Sequence, residues 1–139
     1  MLLNFQQYKG KEIKKELNNF YVRCGYHGGA DNNDTVFVVR HNDQMIGAVR
    51  ICYEQKHLVL RGMQISSEFH RKGIGTKLLK SVQQFLSGKE CLCLPHDYLE
   101  SFYAQIGFKK IDPEQAPVFL QKRLRGYLKH YPKLVVMKK

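Results

Sequence analysis

The sequence predicts one domain over residues 1–139 with an α+β fold built on a mixed β-sheet. Length and composition are the first reason, because 139 residues with 43% hydrophobic and 25% charged residues are typical of one globular domain. The second reason is that segments of strand composition are interspersed with segments of helical periodicity. The third is a strand–glycine turn–helix–strand unit near the middle, which requires one parallel pair in a mostly antiparallel sheet.

The N-terminal part is predicted to contain a strand, a helix and a loop. Residues 2–6 fit a short strand. Residues 11–21 place apolar side chains at helical spacing with lysines opposite, which indicates an amphipathic helix. Residues 23–34 contain three glycines and a cluster of Asn and Asp, so we predict a loop there and expect it to be the most mobile segment.

Three strands and a crossover helix are predicted next. Residues 35–41, 45–54 and 57–65 are rich in β-branched and aromatic residues and are joined by short polar turns, which favours an antiparallel meander. From Ile74 to Leu86 the apolar residues fall on one helical face, and a glycine at 88 suits the position just past the helix end.

The strand after this helix sets the topology. Residues 91–94, CLCL, form a short apolar run typical of a buried strand. Because the chain reaches it through a glycine turn and a helix, we expect 57–65 and 91–94 to be parallel neighbours.

The C-terminal part is predicted as two helices that alternate with two short strands. Asp97 is a suitable cap for the first helix, which Gly107 ends. The second helix has a stripe of leucine and tyrosine bounded by two prolines. The predicted elements are a helix at 98–106, a strand at 108–111, a helix between 117 and 132, and a strand at 134–137.

The net charge is strongly positive. Lys plus Arg is 23 and Asp plus Glu is 12, which gives a net charge of +11, and such a surface attracts anions of many kinds. No run approaches 18 apolar residues, so we expect no membrane partner. The N-terminus lacks the charged start and apolar middle of a signal peptide, so we expect a cytoplasmic protein.

The cysteines and histidines do not predict a metal site. We expect Cys24, Cys52, Cys91 and Cys93 to be reduced in the cytoplasm. The usual spacings of zinc ligands are missing, and no C-x-x-C is present. We therefore predict no metal cofactor.

The segment from His70 to Thr76 carries the most functional information. Glycines between a strand and a helix let the backbone approach a ligand, and the helix start offers unpaired N–H groups and the positive end of the dipole. This pattern predicts a phosphate site. The Walker A spacing fails because Thr76 occupies the lysine position, and the Rossmann fingerprint lacks its third glycine. An ordinary turn with exposed basic residues is the alternative.

A second segment, Ser101 to Phe108, carries Tyr103 on a helix that ends at a glycine and re-enters a strand. From this segment alone, Tyr103 and its aromatic neighbours are most simply interpreted as part of the core.

Together the two segments resemble the GNAT superfamily of acyl-CoA-dependent N-acyltransferases. Glu68 to Gly75 is similar to the pyrophosphate motif of that family, except that His70 stands where Gln or Arg is usual. Leu99 to Phe108 is similar to the segment with the catalytic tyrosine. His96 stands where many members carry an Asn that contacts the pantetheine arm. The resemblance is clear from about residue 35 to residue 111.

The resemblance implies a GNAT-like fold, in which a mostly antiparallel sheet contains a parallel pair of strands that splay apart and is flanked by helices. It implies acetyl-CoA as cosubstrate, and transfer of its acetyl group to a primary amine of a small molecule or peptide. Backbone N–H groups at 73–76 would bind the pyrophosphate, and the strand 57–65 would line the pantetheine arm. The residues implied in cofactor binding are Met63, Gln64, Ile65, His70, Arg71, Lys72, Gly73, Ile74, Gly75, Thr76, His96 and Tyr103.

The resemblance also implies the catalytic roles. Tyr103 would protonate the departing thiolate, a transfer that is uphill by about 2 kcal/mol from the ordinary pKa values of phenol and thiol. Glu54 is a candidate general base, with His96 and Asp97 as further candidates. An acceptor amine of low pKa would need no base.

Two other functions stay open at this stage. One is a non-catalytic CoA-binding module, against which the position of Tyr103 argues. The other is a nucleic-acid-binding protein, suggested by the basic C-terminal segment with Tyr127 and Tyr131 interleaved. The leucine stripe at 120, 124 and 128 is better explained by core packing, so nucleic acid is not the favoured partner. Monomer and homodimer are both compatible with the sequence.

Overall fold

The structure, a computed structural model, describes all of residues 1–139 as a seven-stranded mixed sheet with four α-helices. The strands are β1 (Asn4–Lys9), β2 (Thr35–His41), β3 (Gln44–Glu54), β4 (His57–Ile65), β5 (Cys91–Cys93), β6 (Lys109–Ile111) and β7 (Val136–Lys138). The helices are α1 (Gly10–Arg23), α2 (Ile74–Gln83), α3 (Glu100–Ala104) and α4 (Val118–Leu128). Short 3-10 helices lie at Ser67–Phe69, Asp97–Leu99 and Pro113–Gln115.

The sheet order is β1-β2-β3-β4-β5-β7-β6, and every neighbouring pair is antiparallel except β4 and β5. The predicted α+β class, the meander of β2 to β4 and the parallel crossover through α2 are therefore confirmed. The parallel pair is short, since only Leu58 with Cys91 and Val59 with Leu92 are in register.

Several element boundaries differ from the sequence prediction. The first strand begins at Asn4 and runs to Lys9 because it pairs with residues 35–40 of β2. Helix α2 ends at Gln83, five residues before the glycine at 88, although Leu86 is still fully buried in the core. Helix α3 has only five residues because a 3-10 turn replaces its first turn. Helix α4 ends at Leu128, so Tyr131 follows it.

The core lies on both faces of the sheet because successive strand residues point to opposite sides. Helices α2 and α3 cover the face that presents Leu60, Cys93 and Met137. Helices α1 and α4 cover the other face, where Val36 packs beneath α1 and Val59 beneath α4. Leu120 and Leu124 of the predicted leucine stripe are core, but the prediction is wrong for Leu128, which is 38% exposed because it lies in the last turn of α4. The α-helices are all too short or too polar to span a bilayer.

A buried arginine joins the 24–34 loop to the sheet beneath α1. Arg50 is 2% exposed and its guanidinium lies 3.3 Å from the carboxylate of Asp34. It also donates to the Gly29 carbonyl at 2.6 Å and to the Tyr26 hydroxyl at 3.2 Å. Since a buried charge needs partners on all sides, these contacts fix the loop against β3.

Candidate active site

A groove opens where β4 and β5 stop pairing. After the pair Val59–Leu92, β4 continues to Ile65 without pairing to β5, whereas the chain after β5 stays paired with the segment before β7 through the His96–Leu134 bridge. The space between them has a volume of about 690 Å³ and is lined by residues 59–64, residues 93–96, the loop residues 25–28 and side chains from α3 and α4. The backbone of β4 beyond Val59 therefore has no strand partner on this side.

A β-bulge in β4 forms one wall of the groove. Ala48 of β3 pairs with Gln64 and Arg50 pairs with Arg61, so β4 holds one extra residue between these pairs. Gly62 in the bulge has a φ of +68°, and a Cβ there would overlap the Tyr21 hydroxyl. That hydroxyl donates to the Gly62 carbonyl at 2.8 Å. The bulge is thus held from beneath by the side chain of a buried tyrosine.

The glycine turn lies between the end of β4 and α2. Gly73 has a φ of +74° and directly precedes the helix, a conformation that favours glycine. The N–H groups of Ile74, Gly75 and Thr76 have neither a backbone nor a side-chain acceptor. A Cβ on Gly73 would meet nothing within 4 Å, so the space beside the turn is open, and one on Gly75 would come no closer than 3.6 Å to Phe102. These unpaired donors beside an open space fit a phosphate group.

The basic side chains of the turn differ in their contacts. The Nε2 atom of His70 lies 2.6 Å from the Ile65 carbonyl, so the ring carries its proton there and donates to the end of β4. Arg71 and Lys72 are exposed and form no ion pair, which leaves both free for an anion. The His70 contact ties the turn to the strand that lines the groove.

Tyr103 of α3 lies in the wall of the groove. It is 5% exposed and packs edge-on against Phe102 and Phe108, with ring centroids 5.0 Å and 6.0 Å away. Its hydroxyl has no hydrogen-bond partner, and no fully buried side-chain polar atom of the chain lacks one, so the hydroxyl faces the groove. Burial raises the pKa of Tyr103 above its ordinary value, with the nearby Cys93 acting in the same direction. The phenol is therefore neutral and carries its proton at physiological pH.

The structure brings together some of the predicted site residues and leaves others apart. Met63, Gln64, His96 and Tyr103 all line the groove. Ile65 and residues 70–76 do not line it, but His70 bonds to the carbonyl of Ile65, which directly follows the lining residue Gln64. Glu54 does not line the groove either.

Glu54 is bound to two arginines that do line the groove. Arg123 of α4 donates to both carboxylate oxygens, at 2.9 Å and 2.7 Å, and Arg61 of β4 lies 3.4 Å away. Burial acts to raise the pKa of Glu54, but the hydrogen bonds and charge of Arg123, with the charge of Arg61, hold it below its ordinary value. The carboxylate is therefore ionised, and both of its oxygens already accept hydrogen bonds from Arg123.

Sequence reasoning missed the second wall of the groove. It placed Tyr127 and Tyr131 on the stripe of the last helix, considered them for base stacking only in the nucleic-acid alternative, and did not single out Arg61. The signal for Arg61 is that it is a charged residue within the apolar strand HLVLRGMQI, directly before a glycine.

No group of three or more His, Cys, Asp or Glu side chains is arranged to hold a metal ion. The four cysteines are free, and Cys52, Cys91 and Cys93 are buried. Burial raises the pKa of Cys52 and of Cys91 to about 12, so these thiols stay protonated.

Comparison with known proteins agrees with this fold. The sequence matches the family model described as "Acetyltransferase (GNAT) domain" over residues 6–118. A sequence search of curated proteins gave no match.

Solved structures share the fold at low sequence identity. ElaA of Escherichia coli superposes with a TM-score of 0.72 at 12% identity over 99% of both chains. A GNAT-family acetyltransferase of Streptococcus pneumoniae gives a TM-score of 0.68 at 16% identity, over 99% of this chain and 98% of that one. N-acetylglutamate synthase of Neisseria gonorrhoeae, solved with coenzyme A and N-acetyl-glutamate, gives 0.73 at 11% identity over 100% of this chain and 35% of that one.

The fold and the groove define an acyltransferase. The match over residues 6–118 shows that the chain belongs to the GNAT acetyltransferases, and its reaction class is acetyl transfer.

Proposed function

We propose that this single domain transfers the acetyl group of acetyl-CoA to a primary amine, by direct attack of the amine on the thioester. The observation that carries the proposal is the unbonded hydroxyl of Tyr103, which faces a groove that adjoins a glycine turn with unpaired N–H groups. One end of this arrangement suits a phosphate and the other suits proton transfer to a leaving group.

The residues present fit acetyl-CoA. The free N–H groups of Ile74, Gly75 and Thr76 would bind the pyrophosphate, with Gly73 allowing the close approach and Arg71 and Lys72 adding charge. The pantetheine arm would lie along Met63, Gln64 and Ile65 on one side and His96 on the other. His70 would act through its bond to the Ile65 carbonyl, which fixes the turn against β4.

Bound acetyl-CoA supplies an activated carbonyl carbon. The amine nitrogen attacks that carbon, a C–N bond forms and the C–S bond breaks. An unpartnered N–H of β4 beyond Val59 would polarise the carbonyl oxygen. Tyr103 gives its proton to the departing thiolate sulfur. Because the low-polarity surroundings that raise the pKa of Tyr103 also raise that of a thiol leaving there, they do not by themselves oppose the transfer.

The acceptor must lose a proton before or during the attack. His96 lines the groove and stacks on Tyr98, with ring centroids 5.3 Å apart, so an imidazole is at hand to receive it. Asp97 is exposed and does not line the groove. Glu54 as general base stays a prediction, and its two arginine partners favour a positioning role instead.

Substituting Glu54 separates the two roles. If Glu54 positions Arg61 and Arg123, then Glu54→Gln raises the KM for the acceptor by about tenfold and keeps the pH profile of kcat. If it is the base, kcat falls by about 10²–10⁴-fold and the profile loses its acidic limb. Glu114→Gln, which removes an exposed carboxylate away from the groove, is the matched control. Initial rates between pH 6 and 9 make the measurement.

Release of free thiol from acetyl-CoA tests the proposed function. We expect thiol release that depends on added amine, with an acetylated amine formed in equal amount. Binding of acetyl-CoA without turnover on a broad amine panel would instead favour a non-catalytic CoA-binding module.

A further inference from the structure

The groove is positively charged where it opens beneath α4. Its ionisable lining residues other than tyrosine and the buried thiol of Cys93 are Arg61, Arg123, His27 and His96, and no Asp or Glu lines it. The carboxylate of Glu54 lies behind the two arginines and faces them, not the groove. A ligand in this part of the groove therefore meets cations and no anion.

The two arginines have donors to spare. A guanidinium carries five N–H donors. Arg61 uses one on Glu54 and one on the Tyr127 hydroxyl, and Arg123 uses two on Glu54. The side chains of Arg61 and Arg123 are 30% and 21% exposed, so the guanidiniums are neither fully solvated nor sealed off. The Tyr127 hydroxyl accepts from Arg61 and donates to nothing, which leaves its own proton free.

The arginines and Tyr103 approach the groove from opposite faces of the sheet. Tyr103 belongs to the core beneath α2 and α3, with Leu60 and Cys93. Arg61 follows Leu60 along β4, so its side chain points to the opposite face of the sheet. On that face, which α4 covers, Arg61 bonds to Tyr127 and to Glu54, the same carboxylate that binds Arg123. The glycine turn lies at the start of α2. A ligand held by the arginines would therefore occupy the end of the groove that the turn and α2 leave free.

We propose that the acceptor is a primary amine that also carries a carboxylate, which Arg61, Arg123 and Tyr127 bind while the amine points towards the thioester. This assignment rests on the proposed function. Arginine forks bind carboxylates through two parallel hydrogen bonds, and the partly buried position strengthens them. The absence of any acidic lining residue disfavours polyamines, whose second ammonium would meet only cations.

Matched amines test the proposal directly. Glycine, β-alanine and 4-aminobutyrate are compared with their carboxamides, and 4-aminobutyrate also with 1,4-diaminobutane. We expect at least one carboxylate to exceed its amide in kcat/KM on the order of ten- to a hundredfold, the range for hydrogen bonds to a charged group. The diamine should be poorer still. Two peptides with free N-termini, one with Asp and one with Asn at the second residue, are assayed in the same way. They distinguish a peptide acceptor from a free amino acid.

Variants of the arginine locate the effect. Arg61→Gln should bring the ratio of kcat/KM for the carboxylate to kcat/KM for its amide towards one, by raising the KM of the carboxylate. Arg61→Lys should retain part of the preference for the carboxylate. Arg125→Gln removes an exposed arginine of α4, the helix that carries Arg123, and it should retain the wild-type ratio because Arg125 does not line the groove.

Equal rates for carboxylates and amides, or acetylation of amides and diamines alone, would overturn the inference and leave the proposed function standing. The inference would also be overturned if calorimetry showed acetyl-CoA binding but no carboxylate-bearing amine were acetylated. Absence of acetyl-CoA binding would remove the proposed function, and the inference with it.

Discussion

Tyr103→Phe is expected to lower kcat by about 10²–10⁴-fold, the usual contribution of a general acid, while the KM for acetyl-CoA stays close to that of the wild type. The substitution removes one oxygen that has no hydrogen-bond partner in the protein. The ring remains packed against Phe102 and Phe108. The loss should therefore fall on the chemical step and not on folding or cofactor binding.

The pH dependence gives a second readout of the same residue. A general acid must be protonated to act, and burial raises the pKa of Tyr103. The wild-type kcat should consequently not fall as the pH rises towards about 10, the ordinary pKa of a tyrosine. Tyr53→Phe, on an exposed tyrosine of β3, is the matched control. A Tyr103→Phe variant with the wild-type kcat would exclude the assigned role.

Asp34→Ala is expected to reduce the free energy of unfolding by about 3–5 kcal/mol, because it leaves a buried guanidinium without its carboxylate. Arg50 and Asp34 are 2% and 3% exposed, so water cannot replace the lost partner. Asp34 also accepts from the Asp31 N–H at 2.8 Å, and this bond is lost as well. The effect should appear as a lower midpoint in urea unfolding followed by circular dichroism.

An exposed ion pair is the matched control for this loss. Glu16 lies 2.6 Å from Arg40 and its side chain is 45% exposed. Glu16→Ala should cost no more than about 1 kcal/mol, because solvent screens such pairs. If Asp34→Ala cost as little as Glu16→Ala, the buried pair would not be what secures the 24–34 loop.

Local sequence signals predicted those parts of the fold that depend on neighbours along the chain. The parallel pairing of β4 with β5 followed from one glycine turn and one helix. The position of α2 followed from its apolar stripe, although the helix ends at Gln83 and the buried Leu86 lies in the turn that follows. Periodicity places a residue on a face, but it does not say where regular hydrogen bonding stops.

The acceptor side of the groove depends on contacts between distant segments. Glu54 and Arg123 are 69 positions apart, and Arg61 and Tyr127 are 66 apart. No local pattern encodes such a pairing, so Glu54 became a candidate general base, and neither Arg61 nor Arg123 was connected with the acceptor. The burial of Arg50 was equally invisible, because its partners come from a loop that looked merely polar.

Substitutions in the glycine turn test whether this protein binds acetyl-CoA there. A Cβ on Gly75 makes only ordinary contacts, so Gly75→Glu should fold while placing a carboxylate over the unpaired N–H groups. Gly126→Glu makes the same change of charge at an exposed helical glycine with no neighbour within 4 Å. Thermal unfolding of both variants checks that they fold.

Calorimetric titration of acetyl-CoA into these three proteins is the measurement. We expect acetyl-CoA to bind the wild type with a Kd on the order of micromolar, or about −8 kcal/mol. We expect the same affinity for Gly126→Glu. For Gly75→Glu we expect a loss on the order of a hundredfold or more, because a carboxylate would occupy the phosphate position and repel the anion. Wild-type affinity in a folded Gly75→Glu variant would show that the glycine turn does not bind the cofactor's phosphates. No binding to the wild type would show that the protein does not use acetyl-CoA.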